Sequence, residues 1–512
     1  MNPVRHILIV GGGTAGWLTA AFLARTLGTA AGGVRVTLVE SSEIGIIGVG
    51  EGTFPSIRGT LNAIGLDEAR FVRECDATFK QGVNFVDWSR VGERYFHPFN
   101  APSQRPGAPE LMPYWLLGEA GRIDEKPRAF TDAVSMQQRV ADASRAPKRA
   151  SDGDWLGPMN YAYHFDAGKF ATLLAAHAQT LGVERVIATV DRVERRDDGG
   201  IAAVVTRERG ALSADLFIDC TGFRALLIGE ALGAARKPLN DVLFVDRALA
   251  VQVPYPAADT PIPSYTISTA HEAGWTWDIG LHKRRGVGYV YSSRHTSDEQ
   301  AERVLRDYVG PAAEALTPRF LKLDTGYRET QWIGNCVAVG LSAGFLEPLE
   351  STGLVLIEAA VGMIAEMFPH GGPIEAPARR FNELMTARFE NIVNFLKLHY
   401  CVSRRDEPFW RDNADLASVP ERLAEFLEQW RFRPPGRYDF MLDTETFAFF
   451  NYQYILYGMG YRTDMSAARA DFTQVDEADK LFAKIRRFGE RALSDLPDHG
   501  ALIRQINTVT TR

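Results

Sequence analysis

Three short stretches hold the side chains best suited to chemistry. In "ATFKQGVNFVDW", Lys80 sits among apolar and small residues. A lysine with its stem packed down and its head in water accounts for such a residue simply. Enclosed by aromatic walls, the same lysine would have an unusual proton affinity and could hold an oxidised electrophile. In "EPLESTG", Glu347 and Glu350 lie three apart near a helix start, where carboxylates cap amides and suit the helix dipole. The same stretch offers Ser351, Thr352 and Gly353, whose hydroxyls and backbone amides could cradle a small anion. "GWTWDIGL" sets Trp275 and Trp277 two apart, on one face of a strand, in a chain with nine tryptophans. Core filling explains that pair as readily as a site does.

These stretches need a frame, and the first 40 residues supply its clearest part. "HILIV" is a buried-strand run followed by "GGGTAGWLTAAFLARTL", so Gly11, Gly13 and Gly16 form GxGxxG between a strand and a helix. A second strand, "VRVTLVE", ends at Glu40, where an acid would bind a ribose hydroxyl. The glycines permit a tight turn, and the helix N-terminus then faces pyrophosphate. "IGVGEGTFPSI" follows, unlike a third strand. Sheet material returns near "ADLFIDCTGF" and "WIGNCVAVGLSAGFLEPLESTGLVLIEAA". Three sequence-distant pieces with strand-to-glycine endings predict one α/β, FAD-binding domain with insertions. Phe381, Leu384, Met385, Phe389, Ile392, Val393 and Leu396 predict an amphipathic helix in a mostly helical last third. Segment 96–160, rich in proline and charge, reads as a loop or flexible cover.

Composition narrows the class. The 512 residues carry 46% hydrophobic and 24% charged side chains, ordinary for a soluble globular protein, and a net charge of -7 argues against nucleic acid as a partner. No apolar run suits a membrane span, and the N-terminus does not read as a signal peptide. The four cysteines are scattered and the ten histidines show no metal-ligand pattern. A cytoplasmic protein without a metal is the expectation.

In combination, "GGGTAGW", "GVGEGT", "FKQG", "GWTWDI" and "FLEPLESTG" resemble, in order, the flavin-dependent tryptophan halogenase family. The likeness covers the chain to about residue 400 and is looser beyond. It implies a Rossmann-like three-layer domain of the flavin monooxygenase type over 1–370, with a substrate-covering segment at 81–160. A helical substrate-binding region over 371–512 would pack on it. FAD would contact Gly11, Gly13, Thr14, Ala15, Gly16, Glu40, Gly48, Val49, Gly50, Leu341 and Gly353. Reduced FAD, supplied by a separate flavin reductase, would with oxygen convert chloride or bromide held near Thr352 and Gly353 into hypohalous acid. That oxidant would reach Lys80 through a tunnel walled by Trp275 and Trp277. Glu350 would take the proton from the halogenated ring or orient the electrophile. A monomer or homodimer is implied.

His97 and Phe99 match the family's H-x-F, which sandwiches an indole ring. Tryptophan-specific members then show Glu-x3-Phe-Trp-x3-Asn; here "ETFAFFNYQY" gives Glu445, Phe449, Phe450 and Tyr454. Phe449 and Phe450 keep aromatic substrate contacts, but Tyr454 replaces the asparagine that helps bind the amino-acid head. Asp439 follows Tyr438 where those members have two tyrosines, and it would repel a carboxylate unless a cation intervened. The expectation is therefore an electron-rich aromatic such as indole. Free tryptophan, an aromatic-ring monooxygenase and a non-catalytic flavin-binding protein are the alternatives. Gly280 stands where the family has proline, which would leave that strand end more mobile.

Overall fold

A computed structural model describes residues 3–30, 32–43, 45, 50–102, 109–118, 120–122, 128–441 and 445–508. The chain divides into two compact units, each assembled from three stretches: 1–77, 165–240 and 324–390 in one, 78–164, 241–323 and 391–512 in the other. The division falls inside the Glu375–Cys401 helix. Among the described residues no helix is long and apolar enough to cross a membrane.

The first unit is organised by a six-stranded sheet whose inner strands are Cys336–Ala338, Leu216–Asp219, His6–Val10 and Arg35–Glu40, in that order. His6–Val10 runs parallel to both neighbours, with Ile7 beside Val36 on one side and Leu216 on the other. Ile7, Leu8 and Ile9 are fully buried, as a strand covered on both faces requires. The Thr14–Leu27 helix follows, with Trp17, Leu18, Ala20, Ala21 and Leu23 turned inward. The three sequence-distant strand endings expected of one cofactor domain thus meet in a single sheet: Val10, Asp219 and Ala338 are successive neighbours.

The second unit holds a seven-stranded sheet ordered Arg319–Lys322, Arg247–Pro254, Arg284–Tyr291, Gly274–Gly280, Thr266–His271, Gly82–Val86, Arg94–Pro98. The tryptophan strand, Gly274–Gly280, is internal and buried along its whole length. Segment 96–160 differs from the loop expected: it carries short helices at Leu111–Leu117, Phe130–Val134 and Gln137–Asp142. Pro113 is tolerated because it lies in the first helical turn, where backbone N–H groups have no intrahelical partner.

Candidate active site

On the first unit the glycine loop is defined by how closely backbone meets its surroundings. Gly11 has φ +113, and a Cβ there would stand 2.2 Å from the Cys220 carbonyl oxygen. A Cβ on Gly16 would lie 1.9 Å from the Gly11 carbonyl oxygen, so both positions admit only glycine. Gly13 caps the helix with extended backbone; no side chain caps it, its first turn has no acid, and no atom lies within 4 Å of a Cβ built there. That leaves amide donors open to an anion.

Glu40 ends its strand with its carboxylate over the loop: its Oε2 would be 1.5 Å from a Cβ on Gly12. Arg185 holds Oε1 at 2.6 Å. Open helix amides beside a fixed carboxylate suit the pyrophosphate and ribose of a dinucleotide, so this chain's residues fit FAD. Ala15 belongs to the same surface, because a Cβ on Gly340 would come 2.7 Å from its own Cβ; that contact sets the Gly340–Ser342 turn, with Leu341, against the helix. Gly50 is described with φ +121, whereas Gly48 and Val49 lie outside the described residues.

Sequence reasoning missed the residue that organises this corner. Asp219, buried at its strand end, accepts from Thr221 N at 2.9 Å and Thr221 Oγ1 at 2.6 Å. It also accepts from the amides of Leu227 and Ile228 at 2.8 Å. Burial raises its pKa, and those hydrogen bonds oppose the rise. The signal was present as a carboxylate closing the apolar run of "LFID".

The "EPLESTG" stretch folds into a strained turn. Glu350 and Ser351 both adopt left-handed backbone, with φ 60 and 59, just before the Thr352–Glu366 helix. Such conformations cost of order 1–3 kcal/mol each and persist where surroundings impose them. The Ser351 amide donates to Pro348 O at 3.0 Å. Glu350 and Thr352 are buried, while Gly353 is exposed with open space where a Cβ would point. Two turns along, Glu358 interrupts the apolar run "LVLIEAAV"; its carboxylate accepts from Ser56 Oγ at 2.8 Å and Thr60 Oγ1 at 2.5 Å. Burial pushes its pKa up to about 7 against those bonds.

On the second unit Lys80 is not a surface residue. It is 0% exposed on the Thr78–Lys80 strand, which pairs antiparallel so that Lys80 faces Ala162 and Thr78 faces His164. Its Nζ lies 5.4 Å from the centre of the Phe99 ring, a cation–π contact. The motif around it is fixed locally. Gln81 donates through Nε2 to Ser264 Oγ at 2.9 Å, and a Cβ on Gly82 would meet the His97 carbonyl oxygen at 2.3 Å.

His97 is buried, with Nε2 2.9 Å from Asn451 Oδ1 and its ring 6.0 Å from that of Tyr454. Tyr454 in turn contacts the Phe450 ring at 6.4 Å, and Phe450 the Phe449 ring at 5.8 Å. The candidate aromatic wall is thus assembled, with Tyr454 spending its hydroxyl on Asn100 O at 3.0 Å.

Asp439 differs from the repulsive anion expected. Arg433 holds both its oxygens, at 2.5 and 2.9 Å, and Trp430 Nε1 and the Gly436 amide donate to it as well. Although burial opposes it, this set keeps its pKa low. The cation that the sequence reading required lies six residues upstream.

Two histidines frame the lysine strand. His499 accepts from the Phe79 amide through Nε2 at 3.2 Å and donates from Nδ1 to Ile262 O at 2.8 Å. Burial lowers its pKa to about 4. Burial, followed by the charge of Lys80, lowers that of His164. Both are neutral near pH 7.

Trp275 and Trp277 share one face, with ring centres 6.4 Å apart. Trp275 donates to Tyr400 Oη at 2.9 Å and packs beside Trp88. Trp277 fills the space that Gly288 leaves: a Cβ there would be 2.1 Å from its ring. Gly280 is buried rather than loose. Its carbonyl accepts from Thr78 Oγ1 at 2.5 Å, and Ile262 and Tyr255 side chains close on its α-carbon.

The family model described as tryptophan halogenase matches residues 6–474. The chain is 37% identical to the tryptophan 6-halogenase SttH of Streptomyces toxytricini, over 97% of each. It is also 37% identical to the 7-chloro-L-tryptophan 6-halogenase KtzR of a Kutzneria strain, over 96% of this chain and 98% of that one. The solved tryptophan halogenase of Shewanella frigidimarina superposes with a TM-score of 0.91 at 39% identity, covering 99% of this chain and 98% of that one. With the cofactor loop, the strained "EPLESTG" turn and the buried lysine in place, the chain belongs to the tryptophan halogenase family of flavin-dependent, FAD-using enzymes.

Proposed function

We propose that this enzyme halogenates an indole-type aromatic with Lys80 and Glu350 as its catalytic residues. The observation that carries the reading is a fully buried Lys80 with its Nζ over the Phe99 ring, two residues along the chain from His97. A buried ammonium among aromatic faces is a donor held where an electrophile meets an electron-rich ring. Reduced FAD, from a separate flavin reductase, supplies with oxygen the oxidising equivalents that turn halide into hypohalous acid. As the ring carbon takes the halogen the O–X bond breaks, and the hydroxide leaves as water with a proton from Lys80 Nζ. Glu350 accepts the proton that the ring carbon loses and returns it to Lys80 through solvent.

Thr352 and Gly353 offer the halide a helix N-terminus, and the turns at 11–16 and 340–342, with Glu40, Gly50 and Gly353, offer contacts to FAD; Gly48 and Val49 are assigned to FAD by the sequence alone. Trp275 and Trp277 take the role of barrier between oxidant and organic substrate. Segment 81–160 and the helical region from 371 serve the substrate. The free cysteines favour the cytoplasm. Free tryptophan is a second reading, favoured by the Arg433–Asp439 pair, which removes the repulsion of an amino-acid carboxylate.

The test supplies purified protein with FAD, NADH, a flavin reductase and bromide or chloride, and analyses indoles and tryptophan by mass spectrometry. Halogen-isotope products that vanish in Lys80→Ala and fall about 10²-fold in Glu350→Gln support the reading. Hydroxylated products, or halogenation that survives Lys80→Ala, sink it.

A further inference from the structure

On the second unit a cavity of about 700 Å³ opens beside Trp115, within the range of sites that take drug-sized ligands. It is distinct from the Lys80 wall. Trp115 contacts Tyr457, near the end of the Phe449–Gly458 helix, at 5.5 Å, whereas Phe449 and Phe450 lie at that helix's start. Seven and eight helical residues separate Tyr457 from Phe450 and Phe449, roughly 10–12 Å along the axis.

Trp115, Phe432 and Tyr461 give the cavity aromatic surface, and Phe432 is 67% exposed. Arg122, Arg128, Arg431 and Arg462 give it charge; Asp464 is its one acid among the described residues. Most polar groups in the wall are already engaged. Trp115 Nε1 donates to Arg128 O at 2.9 Å, Tyr461 Oη to Leu427 O at 2.6 Å and Thr463 Oγ1 to Trp430 O at 2.6 Å. Arg128 is held by Asp132 at 2.6 Å, and Asp464 accepts from the Ser466 amide at 2.9 Å. What remains is the guanidinium groups of Arg122, Arg431 and Arg462, which no hydrogen bond or ion pair among the described residues engages. Three exposed guanidinium groups share the concavity with the one carboxylate of Asp464, so its described lining is positive in a chain of net charge -7 and attracts an anion.

We propose that this cavity binds an aromatic ligand bearing an oxyanion, at a site separate from that of Lys80. The ring stacks on Trp115, Tyr461 or Phe432, and the oxyanion takes charge-assisted bonds from the arginines, which match carboxylate and phosphate alike. The proposal does not depend on the halogenase chemistry.

Calorimetric titration of the chain loaded with one equivalent of FAD tests it with two matched pairs. Indole-3-acetate against indole-3-acetamide reads a carboxylate, and AMP against adenosine reads a phosphate. At least one anion is expected to bind ten times more tightly than its neutral partner at low salt. That gap should shrink below threefold in Arg431→Gln/Arg462→Gln, and likewise at 500 mM salt, where surface charge is screened. Phe450→Ala should leave it unchanged. Arg122→Gln, a separate exposed site, should narrow it if the double variant loses thermal stability. Equal binding within both pairs overturns the proposal, as does a gap that survives the arginine changes. A gap lost in Phe450→Ala also overturns it, since binding would then belong to the other wall.

Discussion

Around Gly11, Gly12 and Gly16 the working surface is backbone, and the side chains nearby, Glu40 and Arg185, serve to fix one carboxylate. Around Lys80 the surface is side chain: a buried amine head, the ring of Phe99, and a neutral His499 that accepts from the neighbouring Phe79 amide. Gly11 and Gly16 tolerate no added carbon because their neighbours are backbone atoms that cannot turn aside. The lysine wall tolerates a change of shape better than a change of charge, because aromatic side chains can repack around a truncated stem but cannot replace a proton donor.

Removing that donor breaks the comparison hardest. Lys80→Ala is expected to lower halogenation by about 10³-fold, with FAD titration unchanged because the glycine loop is untouched. Loss of FAD binding in this variant would mean that the two regions do not fail separately.

The converse change acts on the fold. Gly11→Ala combines a left-handed φ with a contact against the Cys220 carbonyl, and about 3 kcal/mol of lost stability is expected. Thermal unfolding and FAD affinity should fall together. A variant as stable as the parent would show that the loop can move away from its strand.

These two regions were unequally legible. The glycine loop could be read because its determinants lie within about 30 residues and each has a local reason. Lys80 could be found as a motif, but its burial rests on partners such as Phe99 and the strand at 162, and its histidine support on residue 499. No local spacing reports such contacts. Whether a cation meets Asp439 was left open by the sequence for a related reason: Arg433 reaches it across a loop with no regular period. Glu358 was legible and overlooked, since a lone carboxylate in "LVLIEAAV" must find partners or give up its charge.

Glu358 also separates the regions by pH. Its folded pKa, about 7, exceeds the ordinary carboxylate value, so the fold favours the protonated form. The stability this contributes is complete below about pH 4.5 and is lost as pH rises through 7. Glu358→Gln should therefore gain on the parent between pH 5 and pH 8, by about 1 kcal/mol after allowing for its partial exposure. His499, with its pKa lowered to about 4, makes stability rise with pH up to about 6.5, but it does so in parent and variant alike and cancels from their difference. A gain that is flat with pH would mean that the carboxyl is already ionised at pH 5.

The smallest effect belongs to the tryptophan pair, and it asks whether Trp275 is wall or core. Trp275→Phe removes the donor to Tyr400 and some packing against Trp88, so about 1–2 kcal/mol of stability is expected to go. Neutral indole takes no part in proton transfer. The halogenation rate should therefore change by less than about tenfold, under 1.4 kcal/mol of barrier. A barrier residue betrays itself instead in coupling: product formed per NADH consumed should fall, or hydroxylated product appear, while Trp277→Phe, which opens space over Gly288, moves the same ratio. If coupling is unchanged in both variants while stability falls, the pair is packed core alone. If the rate collapses as in Lys80→Ala, Trp275 acts on the reacting atoms and the division between donor and enclosure on the lysine side is wrong.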